Sequence, residues 1–555
     1  MTQNRKLSLV YVVACTVVLI SGCSTQNSDV SPKHSLSASL PISVTGGNIQ
    51  GAVSDSNPRI IAFKGIPYAA PPVGELRWRP PEPVVPWEGV RDASEPGSIC
   101  VQHGPPPPTG TQAEDCLFLN IWAPTETSEA LPVMFWIHGG GYSFGSGSRA
   151  TYDGTPLAAG GAIVVTMNYR LNVFGFFAHP ALSAESPHHA SGNYGLMDIV
   201  EALRWVQSNI ASFGGDPDRV TIFGESAGAG AVMSVMLIPE AKGLFHGAVA
   251  ESTWINGWDR PLSEPARGWE PAELQGKTIA ETLGAINDPL TDLRAKTADE
   301  LIGVLDQPSN DDGLEAWERQ AVHAWAPNVD GWIIPSDPFE MYRNGKQHDV
   351  PLITGMNGNE GSLFTPGLNS DQEGFEKHVR EVYGEVSEHL LEHYLVSSPE
   401  TAAIGLDHLF HDMYFAGPVR AHANSQARLT SPVWLYHFNH APPTGMGQLF
   451  GSHHAAEVGY VFGTLTTQDQ ASDGELNPEA GNFTNADMHL SETIRAYWIQ
   501  FATTGNPNRE GLQDWPAFTP DTDTHLELNT TISTGTSLHA TGSQLWHNFE
   551  LSLRD

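Results

Sequence analysis

The sequence predicts an α/β fold: a central, mostly parallel twisted sheet flanked by helices. Three observations carry that prediction. Short apolar runs closed by glycine or polar residues recur along the chain, among them "LPVMFWIHGGG" (131–141), "GAIVVTMNYR" (161–170) and "RVTIFG" (219–224). These runs are apolar throughout rather than alternating, the pattern of strands covered on both faces. Stretches with helical periodicity fall between them, as βαβ crossovers require.

Taken in order, residues 43–130 hold short β-like runs broken by Pro and Gly, such as "RIIAFKGIPYAAPPVGELRW" (59–78). The strands at 131–141 and 161–170 follow. Residues 194–215 place Leu196, Val200, Leu203 and Val206 on one helical face. The strand 219–224 gives way to a helix of small residues, "AGAVMSVMLI" (229–238), and "HGAVAES" (246–252) is the next strand. Residues 262–325 and 366–430 are more polar and read as helical insertions over one end of the sheet. Strand character returns at 350–361 and 432–440. Residues 487–508 form a terminal helix stopped by Gly and Pro.

The ends and the composition bound the function. Arg5 and Lys6 precede an apolar stretch, Leu7 to Ile20, which is short for a membrane span. Small residues follow, so residues 1–22 read as a signal peptide. "ISGC" (20–23) resembles the bacterial lipobox, which implies cleavage before Cys23 and lipid on its thiol. Residues 23–42 read as a lipidated cysteine and flexible tether, and 43–555 as a single domain. The expected location is an exported protein anchored to a bacterial membrane, the outer one, by its N-terminal lipid only. The formal charge is −35, from 28 Lys+Arg against 63 Asp+Glu. Nucleic acid is therefore not an expected partner, since it needs basic patches. With Cys15 lost in the signal and Cys23 lipidated, Cys100 and Cys116 remain, and an oxidising compartment predicts their disulfide.

One stretch carries chemistry. Gly224-Glu225-Ser226-Ala227-Gly228 fits G-x-S-x-G, the strand-to-helix turn that presents a nucleophile in the α/β-hydrolase fold. A serine nucleophile needs donors for the developing oxyanion. "HGGG" (138–141) ends the preceding strand, where glycines let N–H groups approach a substrate oxygen. The expected donors are the N–H groups of Gly140, Gly141 and Ala227. The acid and base should follow the serine at strand ends. Glu360 in "GMNGNEGS" (355–362) is a candidate acid. His453 and His454 in "GSHHAAEVGYVFG" (451–463) are candidate bases, between which composition does not choose.

From about residue 43 to 550 the chain resembles the type-B carboxylesterase (cholinesterase-like) family. "FGGDPDRVTIFGESAG" (213–228) carries that family's serine signature, and "EDCLFLNIWAP" (114–124) its second, with Phe118 where Tyr or Thr is usual. "GIPYAAPPVGELRW" (65–78), "NYRLNVFGF" (168–176) and "FATTGNPN" (501–508) are further family-like blocks. The resemblance implies Ser226 as nucleophile, Glu360 as acid and His454 rather than His453 as base. It also implies a first disulfide at Cys100 and Cys116. The implied activity is carboxylic-ester hydrolysis through an acyl-enzyme, with no metal and no cofactor.

Expectations about substrate rest on two places. In cholinesterases, a tryptophan inside the first disulfide loop holds a quaternary ammonium by cation–π attraction. Here residues 101–115 offer no aromatic residue except His103 and a run of prolines at 105–108, so choline esters are not expected. Trp254 and Trp258 follow the strand 246–252 where the family builds its acyl pocket, and either restrict the acyl group or belong to the core; the expected substrates are small to medium, uncharged esters. Glu225 fills the x position of the turn and is a candidate substrate-binding acid. Amide or thioester hydrolysis would use the same triad, and a non-catalytic adhesion module would be expected to lack the serine.

Overall fold

The computed structural model describes residues 34–103, 110–253, 260–267, 269–303, 325–365, 371–465 and 481–554. The signal peptide, Cys23, the prolines at 105–108, and Trp254 and Trp258 lie outside the described residues.

The core is an eleven-stranded sheet. In chain order its strands are β1 (Ala52–Val53), β2 (Ile60–Pro67), β3 (Phe118–Pro124), β4 (Leu131–Ile137), β5 (Ile163–Met167), β6 (Gly215–Glu225), β7 (Gly247–Glu251), β8 (Leu352–Asn357), β9 (Val433–Phe438), β10 (Thr524–Leu528) and β11 (Ser533–Thr536). Across the sheet the order is β11-β10-β9-β8-β7-β6-β4-β5-β3-β2-β1. Pairing is parallel from β5 through β4 and β6 to β10, and antiparallel at both margins.

The apolar runs explain the arrangement. Along β4, Val133, Phe135 and Ile137 enter one core, while Met134 and Trp136 enter the core on the other face. Successive side chains point to opposite sides of a strand, so an unbroken apolar run requires cover on both. Helix α1 (Tyr194–Asn209) packs its apolar face into the first core. Helix α2 (Ala227–Val235) follows β6 directly and is buried along its length. Helices α3 (Pro399–His411) and α4 (Asn485–Thr504) follow. Thr484 caps α4, exchanging hydrogen bonds with Asp487, and Gly505 closes it at φ +72°.

The polar insertions are helical where described: Ala272–Thr282 and Pro289–Arg294 in one, Gln372–Tyr383, α3 and Gly417–Gln426 in the other. The second joins Trp546 of the C-terminal helix (Ala540–Ser552) in a small core around Phe375, Leu390 and Leu406. No helix among the described residues is long and apolar enough to cross a membrane.

One boundary differs from expectation. The segment read as a tether is already part of the fold from His34. His34 and Ser35 pair antiparallel with Glu126 and Thr127, the Leu36 N–H donates to Thr125 C=O at 2.8 Å, and Leu36 is buried. A two-residue pairing leaves too short an alternation to be read in a Ser-rich stretch.

Cys100 and Cys116 are joined by a disulfide. The bridge closes a loop with a sequence separation of 16. Closing a loop of this size removes unfolded-state entropy worth about 3 kcal/mol. Replacing both cysteines with Ala is expected to lower the denaturant midpoint of unfolding accordingly. An unchanged midpoint would contradict the bridge.

Candidate active site

The site lies at the C-terminal ends of the parallel strands, beside the point where β4 is flanked by β5 on one side and β6 on the other. Strand order reverses there, the position at which open α/β sheets bind their ligands.

Ser226 sits between β6 and α2 with φ 57° and ψ −125°, a strained conformation for a residue with a side chain. Its N–H donates to Glu251 C=O at 2.9 Å, and its own C=O accepts from Gly230 N–H at 2.9 Å. The flanking glycines are required by contact. A Cβ on Gly228 would lie 2.1 Å from Ile137 O, and one on Gly224 2.6 Å from the same oxygen. Gly139 is equally confined, with its Cβ position 2.7 Å from Glu225 O and 3.1 Å from Ser226 Cβ. The turn therefore rests directly on the backbone at the end of β4.

The loop after β4 runs beside it. Gly140 and Gly141 have φ of 106° and 59°. Among the described residues neither N–H has a protein acceptor. Ala227 opens α2, so its N–H belongs to the unpaired first turn of that helix. The loop is held from outside by Gln102. Its Nε2 donates to Gly145 O at 2.9 Å, and its Oε1 accepts from Gly145 N–H at 2.8 Å. The same amide donates to Cys100 O at 2.9 Å, which ties the loop to the disulfide.

Glu360 follows β8 and is fully buried. Its Oε2 lies 2.6 Å from His454 Nδ1. Its Oε1 accepts from Ser252 Oγ at 2.5 Å and from Asn357 N–H at 2.6 Å. Glu360 N–H in turn donates to His411 Nδ1 at 3.1 Å. Burial pushes the Glu360 carboxyl up. His454, Ser252 and Asn357 each favour the anion, and the net direction is down. Burial also drives His411 down to about 3, so it is neutral.

His454 is buried against the rings of Phe364 and Phe415, with centroids 5.2 and 4.8 Å away. Its Nε2 lies 3.1 Å from Glu225 Oε1. That oxygen makes no aligned hydrogen bond, so charge rather than N–H···O geometry holds the pair. Burial pulls the imidazole down, but Glu225 and Glu360 overturn it and raise its pKa to about 9. Burial drives Glu225 upward, opposed by His454. His453 points elsewhere, with Nδ1 2.7 Å from His454 O.

Of the expected residues, the structure joins Glu360 to His454 and His454 to Glu225. It seats Ser226 at the adjoining turn, with no hydrogen bond between Ser226 Oγ and His454 in this conformation. Trp254 lies outside the described residues.

Three further residues complete the surroundings and escaped the sequence reading. Ser252, at the end of β7, bridges toward two acids: Glu360, and Glu457 Oε1 at 3.4 Å. Asn357 Nδ2 donates to Glu457 Oε2 at 2.5 Å. Glu457 is buried, and burial together with Glu225 and Glu360 raises its pKa to about 8. The one signal was spacing: Glu457 falls a turn after His454.

The chain matches the family model described as "Carboxylesterase family" over residues 38–546. It is 35% identical over 477 residues to fumonisin B1 esterase of Sphingopyxis macrogoltabida, covering 84% of this chain and 83% of that one. It is 36% identical over 508 residues to para-nitrobenzyl esterase of Bacillus subtilis (strain 168), covering 88% and 94%. A solved PNB esterase structure aligns with a TM-score of 0.76 at 34% identity, covering 91% of this chain and 99% of that one.

The electrostatics give one direct test. Replacing Glu225 with Gln removes an anion from beside Nε2 and leaves Glu360 in place. The His454 pKa is expected to fall from about 9 toward the ordinary histidine range. Titration of the imidazole resonance reads it, and an unchanged value would show that Glu225 does not hold the proton.

Proposed function

The chain belongs to the carboxylesterase family, and from that membership we propose that it hydrolyses small to medium, uncharged carboxylic esters through an acyl-enzyme on Ser226. It is a carboxylic-ester hydrolase acting on small-molecule esters. The observation that carries the finer reading is the chain of contacts from Glu360 through His454 to the turn that bears Ser226.

In the proposed mechanism neutral His454 takes the Ser226 proton as the hydroxyl oxygen attacks the ester carbonyl. The N–H groups of Gly140, Gly141 and Ala227 receive the oxyanion, each donor contributing about 3 kcal/mol to the transition state. The C–O bond to the alcohol breaks, and His454 returns the proton to the leaving oxygen. Water then attacks the acyl-enzyme with the same histidine as base, releasing the acid and Ser226. Glu360 orients the imidazole and stabilises its charged form. Since His454 must be neutral to accept the first proton, its raised pKa places the working form on the alkaline side of neutrality. Entry into this cycle requires Nε2 to turn from Glu225 to Ser226 Oγ, a side-chain rotation within the pocket.

The substrate class rests on the sequence: residues 101–115 lack a tryptophan to hold an ammonium group, and two bulky residues, Trp254 and Trp258, follow β7. Two relatives are named for ester hydrolysis, of fumonisin B1 and of para-nitrobenzyl esters, which supports an ester as the substrate.

Two experiments test this reading. Wild-type protein should hydrolyse p-nitrophenyl esters, with kcat/KM falling from short and medium to long acyl chains. Ser226→Ala should lower kcat by a factor on the order of 10⁴ or more with an unchanged circular-dichroism spectrum. Near-wild-type turnover in the variant would remove Ser226 from the mechanism, and a long-chain optimum would remove the substrate class. We also propose export and lipid attachment at Cys23, anchoring the chain to the outer membrane. Cys23→Ser should move the protein from the membrane to the soluble fraction, and continued membrane retention would exclude the anchor.

A further inference from the structure

A second cluster of chemical side chains lies away from the catalytic crevice, at the margin of the sheet. His437 on β9 stands directly opposite Glu527 on β10 in the parallel register. His525 is two residues before Glu527 and so projects from the same face of β10. The three residues each offer a ligand atom, and these atoms lie within 4.8 Å of one another. His437 Nδ1 is 2.8 Å and His525 Nε2 3.5 Å from the same oxygen, Glu527 Oε2. Ligand atoms around a tetrahedral zinc ion with bonds of about 2.05 Å lie about 3.3 Å apart, between those two separations.

From this geometry we propose that His437, His525 and Glu527 bind one divalent transition-metal ion, of which zinc fits best, with water in the fourth position. The donor set of two imidazoles and one carboxylate suits zinc in both softness and count. The other carboxylate oxygen, Oε1, accepts from Asn439 Nδ2 at 2.9 Å, a contact that orients the acid from behind. His437 and His525 are buried, and the outer ring nitrogens, His437 Nε2 and His525 Nδ1, have no hydrogen-bond partner. The carboxylate only accepts, so His437 Nδ1 carries its proton in the metal-free chain, and ion binding would shift that proton to the outer nitrogen and free the inner lone pair. Gly535 on β11 faces His525 in the antiparallel register, and a Cβ there would lie 2.4 Å from His525 Nε2. The absence of a side chain gives the ring its place. The Glu527 side chain is 22% exposed, which leaves a path for the ion and its water.

The neighbouring group His411, Asp412 and His539 has similar spacing but the wrong proton placement. His411 Nδ1 already accepts the Glu360 N–H, so its remaining nitrogen carries the proton and has no lone pair to give. An ion bound to His437, His525 and Glu527 would instead cross-link β9 to β10. It would stabilise the folded chain by mass action without entering the ester chemistry.

The test uses the full-length enzyme stripped with a chelator and titrated with Co²⁺, then with Zn²⁺. Saturable uptake of one Co²⁺ per chain with the intense visible absorption of a tetrahedral site is expected. Zn²⁺ should abolish that absorption and raise the thermal midpoint. Glu527→Gln and His437→Asn should each weaken uptake at least about tenfold while retaining ester hydrolysis. Only the weak absorption of octahedral Co²⁺ in the wild type, or equal uptake by either folded variant, would overturn the proposal. Because the wild-type spectrum decides by itself, the result stands even if a variant does not fold.

Discussion

The whole site depends on one close approach of backbone to backbone. The turn bearing Ser226 is pressed onto the end of β4 so tightly that Gly139, Gly224 and Gly228 each lack room for a single methyl group. That contact sets the strained φ of Ser226, starts α2 at the next residue, and lays the glycine loop alongside. Strain at a side-chain-bearing residue persists only where its surroundings over-determine it. Here hydrogen bonds from both sides of Ser226, and a buried sheet beneath, supply that constraint.

Around this rigid centre the protein gathers buried acids. Glu225, Glu251, Glu360 and Glu457 are all enclosed in one region. Four anions so placed cannot all keep their charge, and the structure separates their roles by hydrogen bonding. Glu360 collects N–H and O–H donors and stays anionic, while burial and mutual repulsion drive Glu251 and Glu457 toward the protonated form. The imidazole between Glu225 and Glu360 gains a stabilised positive state. Such a site favours the charged intermediate of proton transfer and disfavours the neutral resting base. In the mechanism proposed above, turnover is governed by how easily the proton leaves His454.

What could be read in the sequence follows the range of the interactions. The buried strands and the elbow are local: contiguous apolar residues and contiguous glycines are their own signal, so β4 to β8 and the turn at Ser226 were legible. Glu360 and His454 are long-range partners, brought together only by parallel crossovers, and the residues alone left His453 and His454 equivalent. Family resemblance chose between them. Ser252, Asn357 and Glu457 stayed invisible because their significance is convergence in space. In a chain with 63 acids no local pattern marks the few that are buried. The entry of the chain at His34 was hidden for a related reason, since two paired residues leave no period to detect.

The lacing of the disulfide to the glycine loop bears on how much change the disulfide loop tolerates. Gln102 grips Gly145 at the base of the covalent loop, and Ile99 and Cys100 pair with Gln112 and Ala113 just inside it. The stretch between is thus closed at its root twice over, once by sulfur and once by backbone. Because its ends are already joined, lengthening or rewriting it costs little closure entropy. The loop is in effect a closed insert: its length can change at little cost to the fold beneath it.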